Sequence, residues 1–365
     1  MRQKEKELFK HLCSFKEKEF DENLLDAATP AVLGHLFFNR MQGVAYGTLK
    51  RHGLLGKINR EFRNSLQYAY NQNIEKNISF FQCVQQVEKA LSVCTCKYAM
   101  LKGAYLCKVY PDGYRTSNDI DLLVHPKDVT EVANALLAAG FKQGNLRNGK
   151  FEPATRKEII ESKMMRGETV PFIKEINLPE MQFLEVDINF SLDYKPGDTR
   201  LLEEMLNSTI FVRLEDFKVC TLRADDFFVH LCSHLYKEAT TLPWIEMMRD
   251  MTLYKYCDIY MLLNDADKEY IDFLFERAKK LGVEKQCAFA VLQTAELFKF
   301  RNQYAVEIAT KALGEDSNYI HRIVSPKDEK EFVFIERNVF ARFFADNRKK
   351  LLMEVKNGES TKYEA

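Results

Sequence analysis

The sequence predicts an α+β protein, a mixed β-sheet core held between a helical N-terminal unit and a helical C-terminal unit. Apolar residues recur at helical spacing up to about residue 92 and again from about 222 onward. Between these stretches lie short runs in which apolar and polar residues alternate, as they do along a strand. At 365 residues the chain also exceeds what one ordinary core accommodates. The expected organisation is a helical unit over 1–92, an α/β core over 93–215 and a helical unit over 216–365.

In the first unit Leu8, Leu12 and Phe15 share a helix face, and Thr29-Pro30 supplies an N-cap with proline in the first turn. Ile58, Phe62, Leu66 and Ala69, then Ile74, Ile78 and Phe81, predict one long apolar stripe. In the core, Tyr98–Leu101, Ile120–Val124 and Phe183–Phe190 read as strands, and Val129–Ala139 as a helix ending at Gly140, the expected C′ residue. Residues 142–168 carry seven basic side chains (Lys142, Arg147, Lys150, Arg156, Lys157, Lys163, Arg166) against four acidic ones, and read as a loop and helix, either a solvated surface or a flap meeting an anionic substrate. Phe227/Leu231/Leu235, Leu253/Cys257/Tyr260 and Phe332/Ile335/Val339 predict helices in the third unit, and the polar tail Asn357–Ala365 is expected to fray.

Hydrophobic residues at 46% and charged residues at 29% are those of a globular protein. Lys+Arg and Asp+Glu both number 53, so overall charge offers no attraction for a long nucleic acid or an anionic membrane. The nine cysteines are odd in number, scattered and mostly in apolar surroundings, the pattern of reduced thiols in the cytoplasm. Cys94-Thr95-Cys96 is the one close pair, a poor zinc knuckle without a second pair. No apolar run approaches the length of a membrane span, and Met1–Lys6 lacks a signal core, so a cytoplasmic protein without a membrane partner is expected.

The chemistry is concentrated in Leu101-Lys102-Gly103-Ala104-Tyr105 and in Tyr110–Val124. Strand alternation puts Asp119 and Asp121 on one face, with Ile120, Leu122 and Val124 on the other. The same rule puts Glu185, Asp187 and Asn189 together on a later strand. Adjacent carboxylates repel, and protonation or a bound cation relieves them; a third acid can complete a magnesium site of oxygen ligands. Gly103 permits close backbone approach to a phosphate, amides of a helix beginning near Ala104 can bind it, and Lys102 and Arg115 are nearby cations. His230 and His234 lie one helical turn apart, with Lys237 following on about the same face, but without the glutamate and third histidine of a zinc motif. Asp258 sits in an otherwise apolar helix and needs a partner such as Lys255 or Arg249. No Gly-x-x-x-x-Gly-Lys-Ser/Thr loop is present.

The order strand, Lys-Gly, helix, turn with Arg, strand with Asp-Ile-Asp, helix, then a strand with another acid resembles the nucleotidyltransferase superfamily that includes the DNA polymerase β-like enzymes. More narrowly, Leu101-Lys102-Gly103-Ala104, Tyr110-Pro111, Arg115 and Asp119-Ile120-Asp121-Leu122-Leu123-Val124 resemble the bacterial uncharacterised nucleotidyltransferase family. The resemblance implies a nucleotidyltransferase-like core, Mg²⁺ or Mn²⁺ as cofactor and a nucleoside triphosphate as substrate. It implies Asp119 and Asp121 as paired metal ligands and Asp187 as third acid, with Glu185 competing. Lys102, Gly103, Ala104 and Arg115 would bind the nucleotide, and His234, Lys237 and Asp258 are candidates for the cleft. Ala104 departs from the superfamily's usual serine, which favours a rival reading, a non-catalytic nucleotide sensor or interaction protein. The acceptor, a small molecule or a protein side chain, is left open, as is the oligomeric state.

Overall fold

The structure is a computed structural model that describes residues 1–165, 167–192 and 199–355; Arg166 of the basic segment and the tail from Asn357 lie outside these residues. The chain divides into two compact units, Arg2–Leu231 and one beginning at Cys232.

The first unit opens with helices α1 (Gln3–Cys13), α2 (Pro30–Phe38), α3 (Gln42–Arg51) and α4 (Arg60–Leu91). There follow β1 (Tyr98–Met100), α5 (Gly103–Val109), β2 (Asp119–Val124), α6 (Val129–Ala138), β3 (Lys142–Arg147), β4 (Lys150–Pro153) and α7 (Arg156–Met165). Then come β5 (Phe172–Leu178), β6 (Met181–Asn189), α8 (Arg200–Asn207), β7 (Ile210–Leu214), β8 (Phe217–Thr221) and α9 (Ala224–Ala239), within which the unit boundary falls. The strands form one mixed sheet in the order β4-β3-β5-β6-β2-β1-β8-β7. β2 runs parallel to β6 and β1 parallel to β8, and the remaining neighbours are antiparallel.

Local chemistry explains the element ends. Pro30 begins α2 after Thr29 as expected, but the Thr29 hydroxyl donates to Glu5 Oε1 at 2.9 Å and not to the helix. Gly140, at φ +89°, closes α6, and Phe141 N–H reaches back to the Leu136 carbonyl at 3.1 Å. Ile120, Leu122 and Val124 of β2 and Leu184, Val186 and Ile188 of β6 are buried with Phe80, Val84 and Val87 of α4 and Val132 and Leu136 of α6, so one face of the sheet is sealed by apolar packing.

The predicted stripe on α4 changes face midway. Phe62, Leu66 and Ala69 are buried as expected, but beyond them Phe80, Val84, Val87 and Leu91 are buried, while Ile78 is 59% exposed. The reason is that α4's polar residues are used as clamps. Asn73 Nδ2 donates to the Gly113 carbonyl at 2.8 Å, Asn77 Nδ2 to the Arg115 carbonyl at 2.9 Å, and Lys76 Nζ to Asn118 Oδ1. The loop 110–118 is thereby fixed along the helix. On its other side it rests against α3 and Phe15, whose ring meets Tyr110 at 5.8 Å and Tyr114 at 5.4 Å. A β-carbon on Gly43 would lie 2.0 Å from the Gly113 carbonyl oxygen, and one on Gly47 2.1 Å from the Tyr114 ring. These glycines let the loop approach the α3 backbone.

Several strands escape the reading above. The segment 142–168, expected as a loop and helix, contains the β3–β4 hairpin, whose two-residue turn Asn148-Gly149 has φ of +51° and +72°. Two of its basic residues are answered locally: Arg147 pairs with Glu152 and Glu158 at 3.2 Å each, and Lys157 with Glu161 at 3.7 Å. β7 and β8 form another tight hairpin, so the sheet continues past 215 to Thr221.

The second unit contains the end of α9, then α10 (Leu242–Glu246), α11 (Leu253–Leu263), α12 (Lys268–Lys280), α13 (Glu284–Leu297) and α14 (Gln303–Leu313). It also contains a small antiparallel sheet, β9 (Arg322–Ser325), β10 (Lys330–Phe334) and β11 (Leu352–Glu354), with α15 (Val339–Phe343) between its last two strands. Phe332/Ile335/Val339 therefore do not share a helix. Phe332 is on β10, Ile335 follows it at 57% exposure, and Val339 begins α15, because Pro326–Glu329 turns the chain back into a hairpin. The unit is pinned by a buried ion pair, Arg348 Nε and Nη2 on Asp250 Oδ1 at 2.9 and 2.6 Å.

Two stability predictions follow from packing. Gly43→Ala should destabilise by about 1–3 kcal/mol through overpacking, although alanine favours helix by about 1 kcal/mol, whereas Gly34→Ala, with nothing within 4 Å of the added carbon, should stabilise. Equal shifts of both melting temperatures would contradict this. Arg348→Met, which leaves Asp250 buried without its partner, should cost about 3–5 kcal/mol in urea denaturation.

Candidate active site

β2 and β6 lie side by side in parallel with Asp119 opposite Glu185, Asp121 opposite Asp187 and Leu123 opposite Asn189. Parallel neighbours are about 4.8 Å apart, and the alternation that sends Ile120, Leu122, Val186 and Ile188 into the core sends the four acids to the other face. Two acidic strand edges are thus brought into register by the apolar packing beneath them.

The face carries its own cations and donors. Lys102 Nζ lies 3.1 Å from Asp121 Oδ1, and Asn189 Nδ2 donates to the same oxygen at 3.4 Å. Lys102 reaches this position because Leu101 N–H extends the β1–β2 ladder to the Asp121 carbonyl at 2.9 Å, after which the chain turns sharply into α5. The turn places Lys102 at φ +41°, a conformation that side chains other than glycine's rarely adopt and that costs free energy. Ser117 Oγ donates to Asp119 Oδ1 at 2.9 Å. Lys76, hydrogen-bonded to Asn118, also lies within the field of Asp119.

Gly103 has a definite steric reason: an added β-carbon would lie 2.4 Å from Ser117 Oγ. The hydroxyl missing at Ala104 is thus matched by another, Ser117's, directly against the glycine. The Ala104 methyl is in the apolar core, and its N–H donates to the Leu101 carbonyl at 3.3 Å. Arg115 is buried on the clamped loop, its guanidinium donating to the Thr116 carbonyl.

Of the residues singled out from the sequence, Lys102, Asp119, Asp121, Glu185 and Asp187 come together, with Gly103 and Arg115 on adjoining turns. His234, Lys237 and Asp258 belong to the second unit, where His234 Nε2 lies 3.1 Å from Glu238 Oε1, Lys255 also donates to Glu238, and Asp258 is buried on α11. Sequence reasoning passed over Lys76, Ser117 and Glu168. Ser117 had a local signal, a hydroxyl two residues before the first acid. Glu168 had none, since it meets the site by pairing opposite Asn189, with Thr169 N–H on the Ile188 carbonyl at 2.9 Å.

The electrostatics follow from crowding. Burial, then the charges of Asp121, Glu185, Asp119 and Glu168, push the Asp187 carboxyl well above its ordinary range. Burial and then Asp119 and Asp121 raise Glu185. Burial lowers Lys76, assisted by Arg40 and opposed by Glu180 and Asp119. A raised carboxyl keeps its proton in the fold at a pH where the unfolded chain has released it, so stability falls as pH rises from the ordinary carboxylate range through the raised value. Without divalent metal, Asp187→Asn should therefore melt higher than wild type at neutral pH, by roughly 2–4 °C for each kcal/mol relieved, and the gap should close in acid. A gap that is constant with pH would remove the electrostatic account.

No curated protein matches the chain. The family model of an uncharacterised nucleotidyltransferase does match, over residues 30–299, a span that takes in the clamping helices, the whole acidic face and the helices after it as far as α13. The chain belongs to this uncharacterised nucleotidyltransferase family.

Proposed function

We propose that the protein is a Mg²⁺-dependent nucleotidyltransferase that moves a nucleoside monophosphate from a nucleoside triphosphate to an acceptor hydroxyl, on a small molecule or a protein side chain. The observation that carries the proposal is the convergence of Asp119, Asp121, Glu185 and Asp187 on one sheet face, with Lys102 against Asp121. All the acidic donors are hard oxygens, the set that suits Mg²⁺ or Mn²⁺. Asp119, Asp121 and Asp187 would hold the metal, which when bound would supply positive charge against the negative charge developing on the phosphate oxygens. Asp187 is preferred to Glu185 as third ligand because it stands opposite Asp121 and is the acid most crowded by like charge.

The chain's own groups supply the remainder. Lys102 and Arg115 counter the polyphosphate, Gly103 contributes backbone, and Ser117 contributes the hydroxyl beside the glycine. Asp187 takes the proton of the acceptor hydroxyl as its oxygen bonds to the α-phosphorus. The bond from that phosphorus to the bridging oxygen breaks, and pyrophosphate leaves. The strained turn at Lys102 and the clamped loop hold these groups in place before substrate arrives, so little of the substrate's binding energy is consumed in ordering them.

Incubation of the full chain with each labelled triphosphate, Mg²⁺ and a panel of hydroxyl acceptors, itself included, should release pyrophosphate and label one acceptor. Asp119→Asn should lower the rate by at least about a hundredfold, since the metal's share of charge stabilisation is several kcal/mol, with circular dichroism unchanged. Full activity in Asp119→Asn would overturn the assignment, and triphosphate binding without pyrophosphate throughout would favour a nucleotide-binding protein.

A further inference from the structure

Away from the acidic face, the loop between α4 and β1 meets α6. Cys94 and Cys96 are on this loop and Glu131 is on the first turn of α6, and one ligand atom from each, two thiol sulfurs and a carboxylate oxygen, lie within 4.8 Å of one another. All three residues are partly exposed, so a solvated ion can reach them. The position of Glu131 is set by the residue between the cysteines: Thr95 N–H donates to Glu131 Oε1 at 2.5 Å and Thr95 Oγ1 to the same oxygen at 3.1 Å. These bonds hold the carboxylate beside the two thiols. Cys96 and Glu131 also line a cavity of about 470 Å³ that presents His125 and Asp128.

From this geometry we infer that Cys94, Cys96 and Glu131 form a binding site for a thiophilic divalent cation of the Zn²⁺ class, distinct from the oxygen-ligand site on the sheet. A tetrahedral ion with metal–sulfur bonds of about 2.3 Å requires sulfurs about 3.8 Å apart, which small side-chain rotations achieve from the observed cluster. Soft thiolates select Zn²⁺ over Mg²⁺, so the two sites divide the metals by donor chemistry. Each thiol gives its proton to solvent as its sulfur binds the ion, and a water completes the fourth position. A single intervening residue without a second pair made the sequence a poor zinc knuckle; the third donor comes from a separate helix, which spacing along the chain does not show. The bound ion ties the end of α4 to α6, and thus fastens the two helices that cover the core beside β1.

Cobalt substitution reads the site directly, because a thiolate–cobalt bond gives a near-ultraviolet charge-transfer band that a carboxylate site does not. Full-length protein, kept reduced with a phosphine and stripped of metal, should take up Co²⁺ with this band, saturate near one equivalent, and lose the band on addition of Zn²⁺ but not of Mg²⁺. The band should vanish in a Cys94→Ser/Cys96→Ser double variant and weaken at least tenfold in apparent affinity in Glu131→Gln. Asp119→Asn, a variant of the other site, should leave it unchanged. Absence of the band from the wild-type protein, or its persistence in the double variant, would overturn the inference, and neither result bears on nucleotidyl transfer.

Discussion

The parallel pairing of β2 with β6 is the constraint on which the first unit depends. It sets two opposing demands on the same residues: one face of each strand must be apolar enough to bind α4 and α6, and the other brings four acids into register. The apolar face dominates, because six large side chains buried at about 25 cal/mol per Å² outweigh repulsion between carboxylates that can retain a proton or accept a cation. The repulsion remains as a local defect. Lys102, held in a strained backbone conformation, answers it at Asp121, and Ser117, pressed against a glycine, answers it at Asp119.

The N-terminal helices have a role that their amphipathic pattern does not convey. α3 and α4 hold the loop 110–118 from two sides, by close glycine approach on one and by amide side chains on the other. The loop carries Arg115 and Ser117, so the site's polar groups are positioned by helices remote from it in sequence. This accounts for the exposed Ile78: the helix face that packs in this region is polar, and the hydrophobic residues between are displaced outward.

What was legible in the sequence was whatever has a local cause. The acids of Asp119–Val124 and Glu185–Asn189 were placed on common faces by the two-residue period of a strand, and Gly140 was placed at a helix end by its freedom at positive φ. The Asn148-Gly149 turn was equally local and was masked by the charge of its surroundings. Other features have no local cause. Which strands pair, the approach of Glu168 to Asn189 and the conjunction of Glu131 with Cys94 and Cys96 are set by tertiary contacts between distant residues. Phe332, Ile335 and Val339 fit a helical spacing, yet the hairpin turn before β10 puts them on a strand, after it and on the next helix.

The separation of β2 from β6 along the chain has a consequence for how the protein is made. The strands become neighbours only after the chain between them, with its own hairpin and helix, has looped back, and such long closures are slow. On a ribosome the first acidic pair is complete long before the second has been synthesised. The cluster of four acids therefore does not exist on the nascent chain until β6 has been made. The four acids come together only when β6 joins β2, so the acidic face is a mark of that long-range pairing and of neither strand alone.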